Sequence, residues 1–446
     1  MKLMHHARRL ALASFLPLCL GGLGCGGDAE PAAPGPDAVA PAPDVAGPGE
    51  PDAAQAGPDT AGPPPAYPIP VAPDDVADMT FLGGPWIMHT TASSVSLAWQ
   101  TAEEADSRVE WGTDATYGHE ATGEPGLMHR VALSELAPAT LYHYRACSSD
   151  RCTADLTLAT APLPGQAYRF VVYGDSRSDP PQHQAVVDSI IESAPSLVMH
   201  TGDIVETGAR SEYLSMHFDP VRRLGQHVPV YVAIGNHEWK ELENDVQSFR
   251  DYLVYPQDAP IPRPGLSYSF RYGDAFFLVM DNTLDGLDLF FPVEGLDTPL
   301  WDWLAERASS EAARSARWRF AFFHYPPGSP CQDDWPMVRA TRDHVLPLLR
   351  DNGFQAMFTG HVHAYERHDY DGFPVIITGG GGAGLEPEEG CGRPSDTLKM
   401  WRSVNHHVTV DIGDDSALLQ AVDITGEVFD SLLLPAKVRS GRQPQP

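Results

Sequence analysis

Basic side chains are scarce in this chain of 446 residues. Thirty Lys and Arg stand against 60 Asp and Glu, a formal charge of -30 at pH 7. So acidic a surface is a poor partner for a nucleic-acid backbone, which is held by cationic contacts to phosphate. Cysteine is scarce as well: there are six, with no C-x-x-C pair and no Cys/His cluster. That excludes the usual zinc-finger and zinc-ribbon spacings. After Leu20 no apolar run is long enough to cross a bilayer as a helix. What the chain has in excess is 42 prolines and 40 glycines, too many for one compact fold, so they must be concentrated. The rest, 42% hydrophobic and 9% aromatic overall, suffices for a packed core. At roughly 150 residues per domain the length suggests two or three units.

Residues 1–25 read as an export signal. Lys2, Arg8 and Arg9 precede the apolar run Leu10 to Leu20, which fits a signal h-region. It leads into Gly22-Leu23-Gly24-Cys25, which resembles a bacterial lipobox, although Gly22 and Leu23 are swapped relative to its usual order. Lipidation of Cys25 is expected, with ordinary signal cleavage a few residues later as the alternative. Residues 26–78 are mostly Ala, Pro, Gly and Asp, with ten acidic residues and no Lys or Arg between Asp28 and Asp78. Such a segment is an extended, self-repelling linker, and serves as a stalk or simply a spacer. The expected location is the bacterial periplasm or outer surface, with a lipid anchor as the only membrane association. Oxidising export suits disulfides. Cys147 and Cys152 flank a four-residue turn, and Cys331 and Cys391 lie in loops. Four cysteines allow three connectivities, of which these two pairs are the expected one.

Residues 79–163 alternate apolar and polar side chains in short runs such as 94–100, 107–112 and 140–146. This is the pattern of a small all-β sandwich. His119, His129 and His143 are scattered there and suggest no chemistry.

Residues 166–434 read as an α/β unit in which apolar strands alternate with helix-like stretches 182–193, 299–315 and 335–351, leaving 435–446 as a tail. The informative feature is the set of residues at the end of each strand. Phe170 to Tyr173 leads into Gly174-Asp175, Leu197 to Thr201 into Gly202-Asp203, and Val230 to Ile234 into Gly235-Asn236-His237-Glu238. Phe320 to Phe323 leads into His324, and Ala356 to Thr359 into Gly360-His361-Val362-His363. Side chains at the carboxyl ends of neighbouring strands converge on one crevice. Asp, Asn and His are hard to borderline donors, and so many exceed what one tetrahedral ion needs. They suit two ions bridged by a shared carboxylate, an arrangement that activates water for hydrolysis.

This ordered set resembles the calcineurin-type metallophosphoesterases, and Gly360 to Arg367 resembles the purple acid phosphatase branch. The resemblance implies a fibronectin-III-like β domain followed by a catalytic domain of two facing mixed sheets flanked by helices. It implies two divalent or mixed-valence ions, Fe, Zn or Mn. Asp203 would bridge them, Asp175 and His363 would hold the first, and Asn236, His324 and His361 the second. His237 would donate to a phosphate oxygen or protonate the leaving group, with Glu238 orienting it. The substrate would be a small phosphorylated molecule, a phosphate monoester first, a diester or pyrophosphate as alternative. A surface binding protein with a decayed site is the reading from another class.

Two positions depart from the family pattern. Glu206 stands where purple acid phosphatases have a tyrosinate ligand, and Arg177 where the wider family often has His. Glu206 would either ligate metal or pair with Arg177. Arg177 is expected to reach a substrate phosphate, its fork matching phosphate geometry; otherwise it forms an Arg–Glu pair beside a depleted first-metal site. The loop Tyr325 to Asp334 carries no histidine where the family often has phosphate contacts, and its acidic end suggests a lightly charged substrate or a bound cation. Asp281 and His200 are read as structural. Gly379 to Gly382 is expected to let a strand end pass close to the metal site.

Overall fold

The computed structural model describes residues 77–240, 246–260, 264–283, 299–387, 391–392 and 395–436. The export signal, Cys25, the linker as far as Val76 and the tail after Ala436 lie outside these residues.

The β unit is an antiparallel sheet of six strands. The runs 94–100 and 107–112, expected as two strands, are one strand, Val95–Gly112. Its register against the neighbouring strand His119–Leu133 shifts between Gln100 and Ser107, where the chain is exposed and side chains need not alternate strictly. Its first half pairs Gly83–Thr90 and its second half Leu141–Ser148. The two faces expected of a sandwich are thus joined through one long strand. Trp99, Val109, Tyr144 and Leu158 fill a core of their own. Trp86, on the opposite face, packs at a tilt against Phe218 of the α/β unit with ring centroids 4.0 Å apart, and the Tyr144 hydroxyl donates to the Gln226 carbonyl. Both disulfides expected from the sequence form, Cys147–Cys152 across a hairpin and Cys331–Cys391 between two loops.

The α/β unit has two mixed sheets. In the first, Tyr168–Tyr173, Leu197–His200 and Val230–Val232 run parallel, and Tyr168–Tyr173 is flanked on its other side by antiparallel strands from the end of the chain. In the second, Ala275–Val279, Trp318–Phe322, Ala356–Thr359 and Phe373–Thr378 run parallel. Near-continuous aromatic and β-branched runs are what strands buried on both faces require. Phe170 of the first sheet meets Phe277 and Phe320 of the second at ring separations of 5.3 and 5.2 Å. Each such ring, fully buried, contributes about 1.5–3 kcal/mol.

Helices cover the sheets. Pro180–Glu192 is capped by the Asp179 side chain and buries Val186, Val187, Ile190 and Ile191. The stretch expected as one helix over 299–315 is two, Pro299–Ala308 and Glu311–Arg314, because Ser310 stops the first and caps the second. Among the described residues no helix is long and apolar enough to cross a membrane.

Candidate metal centre

Each sheet supplies half of the site. The first delivers Asp175, Asp203 and Asn236 from its parallel strand ends; the second delivers His324, His361 and His363. Three of these turn sharply into the crevice. Asp175, Asp203 and His361 have φ of 57°, 60° and 70°, a left-handed conformation that non-glycine residues adopt only at a cost. The adjoining glycines keep the space clear: a Cβ on Gly235 would fall on the Asp203 carboxylate, and one on Gly360 on that of Asp175. Gly379 has the role expected of its run, since a Cβ there would lie 2.9 Å from Asp175 Oδ2.

Around Asp203 the donors converge. Asn236 Oδ1 lies 3.0 Å from His324 Nε2 and 3.1 Å from His361 Nδ1. His324 Nε2 lies 3.4 Å from Asp203 Oδ1. Donor atoms of Asp203, His324 and His361 all fall within 4.8 Å of one another. His324 Nδ1 donates to the Thr201 carbonyl at 2.8 Å, which leaves the Nε2 lone pair turned to the other donors. Asp203 Oδ2 is buried without a hydrogen-bond partner. Lone pairs aimed at one another in a buried pocket fit a cation.

The local field draws positive charge into the cluster: with no ion bound a proton on His324 Nε2 supplies it, and a metal would take that proton's place. Burial opposes charge on His324, yet Asp203 and Asp175 drive its pKa up to about 9. Burial raises the Asp175 carboxyl, while Asp203, equally buried, is held below the usual range by His324, His237 and Arg177. Burial pushes His361 down, leaving a neutral imidazole. Its ring is fixed edge-on by Tyr325 at 4.5 Å, with the exposed Trp335 at 5.7 Å.

The other side of Asp203 is built differently. His363 Nδ1 donates to the Gly384 carbonyl at 2.7 Å, and its Nε2 lies 3.6 Å from Asp175 Oδ1. Arg177 Nη1 lies 3.1 Å from the same Nε2, and Arg177 Nε lies 3.6 Å from Asp203 Oδ2 and 3.8 Å from Glu206. Glu206 also accepts from the Ser178 hydroxyl and sits 3.8 Å from Lys240 Nζ.

His237 comes to the rim of the cluster. Its Nδ1 donates to the Glu206 carbonyl at 2.6 Å, and its Nε2 lies 3.8 Å from Asp203 Oδ2. Burial lowers its pKa to about 4. Glu238 has a different role from the one expected. Instead of orienting His237 it accepts from the backbone N–H groups of Asp203, Ile204 and Gly235, clamping two ligand loops together.

Two contributors escape sequence reasoning. Asn282 accepts from the N–H groups of His324 and Tyr325, fixing the histidine's loop; its signal was a polar residue beyond the end of an apolar strand. Lys240 stands 3.0 Å from His237 Nε2, and nothing in its sequence position marks it. Asp281 and His200 hold local structure, as expected. Asp281 accepts from Thr283, and His200 accepts from Gly202 N–H and donates to Ser176. Asp334, in the acidic loop, pairs with Arg342 at 2.9 Å.

Residues 168–365 match the model of the calcineurin-like phosphoesterase family. The chain is 26% identical over 299 residues to purple acid phosphatase 23 of Arabidopsis thaliana, a match that covers 58% of this chain and 63% of that protein. It is 26% identical over 407 residues to acid phosphatase type 7 of Danio rerio, covering 77% and 88% of the two chains. A purple acid phosphatase from yellow lupin (Lupinus luteus) seeds superposes with a TM-score of 0.66 at 19% identity, covering 80% of this chain and 74% of that one. Residues 168–365 are thus similar to calcineurin-like phosphoesterases, the chain as a whole is similar to purple acid phosphatases, and an N-terminal β domain precedes the matched region. That family implies a dinuclear metal site, and a His/Asp cluster for it is present.

Proposed function

We propose that this metallophosphoesterase is an exported enzyme that hydrolyses phosphate monoesters, its β domain spanning 79–163 and its catalytic domain 166–434. The observation that carries the proposal is the convergence of Asp203, Asn236, His324 and His361 on one point between the sheets. Metal bound there supplies Lewis acidity toward phosphate oxygens and an activated water as nucleophile. Fe, Zn or Mn suits this mixed O/N set.

The chain's own residues do the rest. Asp203 holds its buried carboxylate toward the centre, kept ionised by His324 and the neighbouring cations. The His324 and His361 rings are fixed by Thr201 and Tyr325, so donor positions are set before substrate arrives. His237, with Nδ1 committed to the Glu206 carbonyl, turns an Nε2 lone pair toward the rim, where it accepts from the Lys240 ammonium and so holds that donor against the leaving-group oxygen. Arg177 Nε, buried and without an acceptor, donates to a phosphate oxygen. Glu206 meets Arg177, Ser178 and Lys240, so its role is to hold these groups in place. The two disulfides and the plant relatives support an extracytoplasmic setting. The export signal, the lipid on Cys25 and a periplasmic or outer-surface location complete the proposal.

The test is hydrolysis of aryl phosphate mono- and diesters by the full chain, stripped of metal and reloaded with Zn, Mn or Fe, with Asp203→Asn alongside. Metal-dependent turnover that favours the monoester and disappears in Asp203→Asn is expected. Preference for the diester would move the enzyme to the phosphodiesterase reading. Folded protein that retains no metal and turns over neither ester would establish the decayed-site reading.

A further inference from the structure

We infer that this chain holds a single metal ion, at Asp203, Asn236, His324 and His361, and that the Arg177 guanidinium occupies the position of the other ion. The inference rests on the metal-dependent reading above and departs from the dinuclear arrangement that the family implies.

Arg177 lies among the groups a first ion would need. Its Nη1 is 3.1 Å from His363 Nε2. The other nitrogen of that ring donates to the Gly384 carbonyl, so Nε2 carries the ring's one lone pair, and Arg177 takes it. Its Nε stands 3.6 Å from Asp203 Oδ2, the oxygen left without a hydrogen bond. The Asp175 carboxylate accepts the His361 backbone N–H at 2.9 Å, so it is tied into the loop between the two positions.

The guanidinium is held in place. Its side chain is only 12% exposed, and its own backbone N–H donates to the Asp203 carbonyl. Glu206 lies 3.8 Å from Nε, and Glu206 is steadied by the Ser178 hydroxyl one residue beyond Arg177. The two departures from the family pattern therefore act as a pair. One places a permanent cation at the position, and the other supplies a carboxylate beside it. A guanidinium stays protonated at any accessible pH and offers no lone pair, so it cannot become a ligand and repels an ion placed next to it. Among the described residues no equivalent intruder stands at the other position, where Asn236, His324 and His361 face one another directly.

Metal content of the full chain, reloaded with Zn or Mn, freed of excess ion and measured by elemental analysis, tests this. One equivalent per chain is expected for the wild type, rising to two in Arg177→His, which removes the cation and restores a donor. Two equivalents in the wild type would overturn the inference while leaving the hydrolase reading intact. Zero equivalents would overturn both. Should Arg177→His fail to fold, the paramagnetic resonance of Mn-loaded wild type decides independently. An isolated-ion spectrum is expected, and an exchange-coupled pair would refute the inference.

Discussion

On one side of Asp203 the amide oxygen of Asn236 faces the imidazoles of His324 and His361 at 3.0 and 3.1 Å; on the other, Asp175 and His363 share their space with Arg177. Both sides are assembled by strand ends of the same two sheets, and both use an imidazole whose Nδ1 is committed to a backbone carbonyl. They differ in one respect, where the positive charge comes from. One side leaves its lone pairs to an external cation, and the other neutralises them with a side chain. A scaffold can thus keep its ligands and still change how many ions it needs.

The largest effect should come from breaking the side that takes an external cation. His324→Ala removes a donor from the Asp203 cluster. Bound metal should fall well below one equivalent, and kcat/KM should drop on the order of 10³-fold, the loss of several kcal/mol of Lewis-acid stabilisation. Elemental analysis beside aryl phosphate kinetics checks both.

His237→Ala should lower kcat by about 10²- to 10⁴-fold, as loss of a positioned proton-transfer group does, while metal content stays unchanged. That split separates a residue acting on the leaving group from one holding metal.

Arg177→Lys sharpens the comparison from the other side. An ammonium keeps the charge but cannot span His363 and Asp203 as the fork does. Loss of one charge-assisted hydrogen bond, about 1.5–3 kcal/mol, should reduce kcat/KM roughly ten- to a hundredfold without admitting a second ion.

Buried histidines away from the carboxylates give the fourth contrast. Where His324 is driven up, burial holds His183 and His406 down to about 4, and burial with the neighbouring His406 and Arg169 holds His407 down to about 3. A depressed pKa means the folded state binds fewer protons than the unfolded one below the free value of 6.5. Stability is therefore full above about pH 6.5 and declines as pH falls toward 4, by up to ~1.4 kcal/mol per ring per pH unit. Thermal melts from pH 7 down to pH 5 should show Tm falling, and a Tm that stays level would contradict this.

Much of this site is legible in the sequence. A strand ending in Gly-Asp, Asn-His or His-x-His states its chemistry locally, because direction and strand end together fix where the side chain points. Hence all seven motif residues meet at one edge of the sheets. What stayed hidden depends on distance through space. Asn282 supports His324 across 42 residues of sequence, and Glu238 secures the Asp203 loop from 35 residues away. The strand Val95–Gly112 hid its continuity because an exposed bulge breaks the alternation that marks strands. The use of Arg177 as a resident cation likewise rests on one 3.1 Å approach to a ring 186 residues further on.

The most direct test is an anomalous-difference map from crystals of the full chain grown with Zn or Mn. The account predicts one peak, enclosed by Asp203, Asn236, His324 and His361, with the Arg177 guanidinium in place between Asp203 and His363. A second peak between Asp175 and His363, with Arg177 displaced, would contradict it.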